Sequence, residues 1–413
     1  MSHRSPPASL ESFATTGVGV PIGRRAVIQG AAASGLAALL AGCSGEFDDE
    51  TEATSSETAE VGSVIVVGAG PAGISAAALL NRAGVDVRVL EARPTYGGRI
   101  RHTRDFVDFP IPLGGEWLHE DGEELTDING GIEPIVELAA YQPSDEVAYY
   151  DGTLQTEVMG DAVDSDLKFV GSSWLDFFET HLLPDLAGLI DYDIEIVRID
   201  HSGDRVILTS AAGEVYEADR AIVTVPIKLL QDKRVEFTPP LPDAHRGAIE
   251  RAKIWGGMKV FVEFTERFYP VALSFTDSDT PEGQRLYYDA SYGQDSDAHV
   301  LGLFTVGAPA ERYQALDEGA ELRDAILAEL DEIFDGVASR SYIQHIAQNW
   351  NDEPFARAAY LADDADWNIP ETLAERFSDR LFLAGDAYTS HGDWSAVDDA
   401  ARSARDVVRD ILA

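Results

Sequence analysis

The run Ser63-Val64-Ile65-Val66-Val67 passes straight into Gly68-Ala69-Gly70-Pro71-Ala72-Gly73, and that join restricts the fold more than any other stretch of the sequence. A short β-branched run without polar alternation predicts a strand buried on both faces, as in a parallel sheet. Residues 74–83, rich in Ala and Leu, read as a helix stopped by Gly84. A second apolar strand over 85–90 then ends on Glu91. Strand, glycine turn, helix, strand and acid together form the opening βαβ unit of a dinucleotide-binding fold. Its glycines permit a tight turn and let backbone N–H groups approach a pyrophosphate at the positive end of the helix. Glu91, 23 positions after Gly68, is placed to accept hydrogen bonds from an adenosine ribose. Gly68, Gly70, Pro71, Ala72, Gly73 and Glu91 are therefore candidate cofactor contacts. The fingerprint alone leaves NAD and FAD both open.

Charge narrows the partners. The chain has 31 Lys plus Arg against 73 Asp plus Glu, a net charge of −42. That balance excludes nucleic acid and electrostatic attachment to anionic lipid, since both need basic surface. With 45% hydrophobic residues, the chain is no disordered acidic tail either. Only Lys168, Lys228, Lys233, Lys253 and Lys259 are lysines. An acidic, lysine-poor surface resembles that of proteins working in concentrated salt, as in halophilic archaea, where screening removes self-repulsion. An ordinary acidic exported protein is the alternative. Against this background, residues 82–104 hold six arginines and two acids. The arginine fork suits phosphate oxygens, which marks Arg93 and Arg99, whereas Arg82 and Arg88 read as decoration of exposed faces.

The N-terminal stretch reads as a leader. Arg24-Arg25 precede an uncharged run, 26–42, too short and too rich in Gly to make a good membrane span. Twin arginines before an apolar stretch resemble a Tat signal, and Leu40-Ala41-Gly42-Cys43 resembles a lipobox. Cleavage there would leave Cys43, the single cysteine, as a lipid-modified first residue and would deepen the charge to −44, since residues 1–42 hold three arginines and one glutamate. A lone cysteine excludes an internal disulfide framework. Residues 44–60, with seven acids and no base, read as a solvated tether. The expectation is an exported protein, anchored by lipid at Cys43 to the outer face of the cell membrane.

Glu91-Ala92-Arg93 followed by Gly97-Gly98-Arg99 resembles the flavin-containing amine oxidase family, which includes monoamine, polyamine and L-amino-acid oxidases. Gly114-Gly115-Glu116-Trp117-Leu118-His119 is similar to the family segment that passes beside the flavin. The resemblance implies FAD, with Ala92, Gly98, Gly115, Glu116 and Trp117 among its contacts. Further along, Ile196 matches the position whose backbone holds the adenine. Gly385-Asp386, at the end of an apolar strand, matches the motif at the ribityl and phosphate groups. Val397 opens a last helix whose N-terminus the family points at the flavin, where a positive helix end stabilises an anionic ring. Lys259 by itself would read as an exposed strand lysine; the resemblance makes it the lysine that holds a water near the flavin. Tyr360 matches one aromatic wall of the slot that orients an amine.

Three departures from the family stand out. Ala359 occupies the position of the cysteine that bonds FAD in some relatives, so the implied FAD is non-covalent. Ala396 replaces an aromatic, which leaves the second wall missing or supplied by Trp394. Asp399-Ala400 stands for Gly-Ala and adds an acid near the cofactor. Ser395 and Asp398 have capping-box spacing for the last helix.

The expected architecture is α/β: a Rossmann-like FAD-binding domain with a parallel sheet, interleaved with a substrate domain of mixed sheet and helices. After a leader at 1–42 and a tether at 43–60, the FAD-binding parts are 61–118, 191–236 and 361–413. A helical part at 119–190 and the stretch 237–360 make the substrate domain. The implied reaction is oxidation of a small amine at its CH–NH bond, with O2 as acceptor, giving imine or aldehyde, ammonia and hydrogen peroxide. A desaturase-type flavoprotein, similar to phytoene desaturase or protoporphyrinogen oxidase, is the alternative. A non-catalytic FAD-binding surface lipoprotein is a third reading. Nine histidines and one cysteine offer no metal-ligand spacing.

Overall fold

The computed structural model describes residues 61–160, 166–362, 365–390 and 394–413; the leader, Cys43 and the acidic tether lie outside the described residues. Residues Ser63–Val67 form a strand whose four apolar side chains are buried. It pairs in parallel with Asp86–Leu90 on one side and Arg220–Val223 on the other. Among the described residues, Ile190–Asp191 and Leu381–Leu383 complete a five-stranded sheet, also in parallel. Three well-separated stretches of sequence thus interleave in one sheet, as a fold of parallel strands with long crossovers requires.

The first helix runs Pro71–Arg82, three residues earlier than the Ala/Leu run alone predicts. Proline at the first helical position lacks the N–H that would go unpaired there, so the helix begins inside the glycine turn. Gly73 fixes how close that helix comes. A Cβ at Gly73 would sit 1.9 Å from the Gly68 carbonyl oxygen. The last helix, Val397–Leu412, packs beside the first through Ala76, Ala77, Ala401 and Ala404, small enough to bring the two axes together. Its cap differs from the sequence expectation by one position. Ala396 is the N-cap, and Asp399 Oδ2, not Asp398, accepts its N–H at 3.1 Å. Ser395 Oγ instead donates to the Leu361 carbonyl at 2.7 Å.

The second unit is built on an eight-stranded mixed sheet, counted among the described residues. Its strand Gly257–Phe264 lies between His299–Gly307 and Tyr342–Asn349, antiparallel to both. Alternation divides this strand between two cores. Met258, Val260, Val262 and Phe264 pack with Leu322, Ile326 and Leu330 of the helix Ala320–Ile333, while Phe261 joins Tyr288 and Val300. Lys259 therefore points to the Phe261 side, away from that helix.

The stretch 119–190 holds less helix than expected. Among its described residues only Glu123–Ile128 and Trp174–His181 are α-helical. Glu146–Tyr150 and Leu154–Val158 form a hairpin that extends the eight-stranded sheet. Aromatic and β-branched side chains flank the turn, and Gly152 supplies the positive φ the turn needs. Leu167–Phe169 pairs with Trp117–Leu118 and sets Lys168 opposite Trp117. No helix among the described residues is long and apolar enough to cross a membrane.

Gly73→Ala forces the new methyl against a backbone oxygen that cannot rotate away. The expected loss is roughly 1–3 kcal/mol of unfolding free energy, read as a lower urea midpoint at unchanged m-value.

Candidate cofactor and substrate cavity

The glycine turn, the end of the strand Asp86–Leu90 and the first turn of the last helix all border one cavity of about 1170 Å³. At the turn, Gly70 is the N-cap of the first helix, and a Cβ there would meet only the Gly98 Cα, at 3.9 Å. The two glycines leave a backbone-walled cradle at a positive helix end, which suits a diphosphate. Gly68, with φ +106°, has no room for a side chain because Thr224 Oγ1 would lie 2.6 Å from its Cβ. That hydroxyl donates to the Val67 carbonyl at 2.9 Å and locks the turn to the neighbouring strand.

Glu91 accepts the Ala69 N–H at 2.6 Å and the Arg93 N–H at 2.9 Å, one on each carboxylate oxygen. Burial raises its pKa, and these two backbone donors counter that rise. Each oxygen keeps lone-pair capacity for a ribose hydroxyl in the cavity it lines. The residues therefore fit a dinucleotide. Gly68, Gly70, Pro71, Ala72, Glu91, Ala92, Arg93, Gly98 and Arg99 line the cavity, as do Gly115, Glu116, Trp117, Ile196, Gly385, Asp386 and Val397. Gly73 does not; it acts by letting the helix close on the turn. Gly115 abuts the last helix, since a Cβ there would be 2.5 Å from Val397 Cγ2.

The arginines are less available to phosphate than their number implies. Arg93 donates to Glu353 Oε2 at 2.6 Å, and Arg101 meets the same carboxylate at 2.6 and 3.1 Å. Arg99 donates to Asp386 Oδ1 at 2.6 Å and to the Ala359 carbonyl. Both expected phosphate arginines thus clamp later segments of the chain to the cradle. Arg82 and Arg88 pair with Asp185 and Asp191.

Lys259 and Tyr360 line the same cavity. Lys259 is buried, and its Nζ donates to Glu116 Oε2 at 2.7 Å. It stands 4.8 Å from the Trp117 ring centroid, within cation–π range. Burial lowers its pKa against the pull of Glu116, with the charge of Lys168 adding to the fall. Burial alone would raise the Glu116 carboxyl, but the Lys259 and Lys168 charges hold it below the ordinary range, with hydrogen bonds from Lys259 and Tyr288. His119 also lines the cavity and meets Asp166 through Nδ1 at 2.9 Å.

Three further aromatics of the cavity lining, Trp255, Trp367 and Trp394, form two ring pairs with Tyr360. Trp255 and Tyr360 lie 6.3 Å apart between centroids, and Trp367 and Trp394 are 4.7 Å apart, edge to face. Trp394 thus stands at the cavity where Ala396 offers no ring. Asp399 is buried in its cap rather than lining the cavity.

Sequence reasoning missed Lys168, Tyr288 and Glu353. Lys168 lies in no motif; the scarcity of lysine was the one signal available. Glu353 sits just after the strand Tyr342–Asn349, but its two arginine partners are about 250 residues away in sequence. Burial would raise its carboxyl, yet the Arg101 hydrogen bond and the Arg93 and Arg101 charges hold it below the ordinary 4.5. A carboxyl whose folded value is depressed stabilises the fold above 4.5 and loses that contribution as pH falls through the folded value. Glu353→Gln should cost about 2 kcal/mol at neutral pH. In urea titrations, its difference from the parent should shrink as pH falls below 4.5.

Comparison with known proteins gives the site a family. The family described as flavin containing amine oxidoreductase matches residues 180–412, and an NAD(P)-binding Rossmann-like domain matches 66–128. The chain is 24% identical to lysine-specific histone demethylase 1B of Mus musculus over 416 residues, covering 80% of this chain and 50% of that protein. It is 25% identical to polyamine oxidase 3 of Oryza sativa subsp. japonica over 433 residues, covering 81% and 87%. The chain spans about half the length of the demethylases it matches over 80% of its own residues. Cyclohexylamine oxidase from Brevibacterium oxydans IH-35A has the same fold, with TM-score 0.71 at 15% identity, covering 85% of this chain and 98% of that one. FAD is accordingly the dinucleotide that the cradle suits. The family match covers more than half of the chain, including Lys259, Tyr360, the Gly385-Asp386 turn and the last helix, and the chain belongs to the flavin-containing amine oxidoreductases.

Proposed function

We propose that this protein is an FAD-dependent oxidase of a small amine. One observation carries the reading: the glycine cradle with Glu91 and the group Lys259, Tyr360 and Trp394 border a single cavity, so cofactor and substrate meet in it. The similarity to a polyamine oxidase and the fold shared with a cyclohexylamine oxidase support an amine as substrate. FAD, when bound, supplies the acceptor for two electrons from the amine's CH–NH bond.

The protein's own residues do the rest. Gly70, Gly98 and the first helix end hold the diphosphate, and Glu91 holds the ribose. Tyr360, Trp255, Trp367 and Trp394 present ring faces and edges that exclude water and orient an amine. Lys259 keeps a cation at the cavity wall, where it stabilises negative charge developing during the reaction. With dioxygen as final acceptor, an amine R–CH2–NH2 and O2 give the imine R–CH=NH and H2O2. Water then hydrolyses the imine to aldehyde and ammonia.

We further propose that the protein works outside the cell, held at the outer membrane face by lipid on Cys43. The Arg24-Arg25 pair and the residues before Cys43 support this. Cys43→Ala should move the protein from the membrane fraction to the medium; retention in the membrane would remove the anchor.

The activity is tested on protein purified in concentrated salt, which screens the −42 charge. The visible flavin spectrum is followed anaerobically against a panel of amines and amino acids. At least one amine should bleach it, and a flavin that no member bleaches would end the amine reading. Lys259→Met should retain flavin and slow reoxidation by dioxygen at least tenfold, so an unchanged rate would remove its assigned role.

A further inference from the structure

At the cavity wall, two ammonium groups and a phenol converge on one carboxylate. Glu116 Oε2 accepts from Lys259 Nζ at 2.7 Å and from the Tyr288 hydroxyl at 2.5 Å. Lys168 Nζ lies 3.4 Å from the other oxygen, Oε1, and donates to the carbonyls of Asp289 and Ala290 at 3.0 and 3.1 Å. None of the four side-chain-bearing residues is more than 6% exposed. Glu116 and Lys259 line the cavity, whereas Lys168 and Tyr288 stand behind them.

Charge counting shows why one lysine would not suffice. A carboxylate 2.7 Å from Lys259 pins the ammonium, but it also cancels that charge for anything in the cavity. The second lysine restores the balance to +1. Burying another ammonium costs several kcal/mol unless its partners repay it, so a third buried charge is a poor device for stability alone. This chain nevertheless commits two of its five lysines to one carboxylate. Register makes the arrangement obligatory. Pairing of Trp117 with Lys168 brings the second lysine beside Glu116, and the strand Gly283–Asp289 delivers Tyr288 to the same carboxylate.

We infer that Glu116 and Lys168 are positioning residues for Lys259: Glu116 fixes its ammonium at the wall, and Lys168 offsets Glu116 so that a net +1 faces the cofactor. This rests on the flavin reading proposed above. The lowered Glu116 carboxyl agrees with it, because the carboxylate then stays ionised in a buried place.

The test reads the midpoint potential of the bound flavin by dye equilibration, which needs no turnover. Lys168→Met makes the cluster neutral and should shift the potential to more negative values, because a reduced flavin gains negative charge. Lys168→Arg should leave it near the parent value. The double variant Glu116→Gln with Lys168→Met again carries +1 and should return towards the parent. A purely structural cluster predicts the opposite order, with the double variant the most perturbed. An unshifted Lys168→Met, or a double variant no closer to the parent than the single one, would overturn the inference. Should Lys168→Met fail to fold, Glu116→Gln alone must shift the potential positive, and a shift of zero or below overturns it. Absence of flavin from the parent protein itself would overturn the cofactor reading instead, and this inference with it.

Discussion

The helix Pro71–Arg82 can stand over the end of the strand Ser63–Val67 only because Gly73 has no side chain to set against the Gly68 carbonyl, 1.9 Å from where a Cβ would be. That approach aims the helix's unpaired N–H groups into the cavity and leaves room for the last helix to pack alongside. Every later part of the site is placed against this contact. Gly98 faces Gly70, Val397 abuts Gly115, and the Gly385 N–H reaches Ser403 Oγ on the last helix at 3.3 Å.

Charge then ties the distant segments together. Arg93 and Arg101 share Glu353, and Arg99 takes Asp386, so ion pairs join the stretch just after the first βαβ unit to the last third of the fold. These pairs are half-buried, so removing one partner leaves a charge that water only partly compensates. In a chain at −42, cations near the cofactor are therefore structural members first. Lys259 differs from them in burial: its carboxylate Glu116 and the second cation on that carboxylate, Lys168, are buried with it.

Local features were the legible ones. The βαβ unit, Glu91 and the strand of Lys259 follow from periodicity and punctuation within a few residues of sequence. What escaped depends on partners brought together by folding. Glu116 reads as one letter of a motif, and nothing near it shows that it accepts from Lys259, 143 positions later, and Tyr288, 172 positions later. The cap of the last helix was misread by one residue because Ser395 has the right side chain for an N-cap. Tertiary contact with the Leu361 carbonyl draws it away and leaves the task to Asp399. Residues 146–158 fall in the stretch that the family resemblance makes helical, and their strand character is fixed by a sheet edge supplied from Ala272–Phe275.

Interleaving has a consequence for how the molecule is made. The central strand and the cradle are synthesised well before the sheet's edge strand Leu381–Leu383 and the helix Val397–Leu412, which lie far downstream in the chain. Until then the cradle lacks a wall, and the Ala76 and Ala77 face of the first helix lies bare. The FAD domain cannot fold as an N-terminal unit during synthesis, as consecutive domains do. Its first half must wait, exposed, for the helix Val397–Leu412, and cofactor capture follows the arrival of that helix.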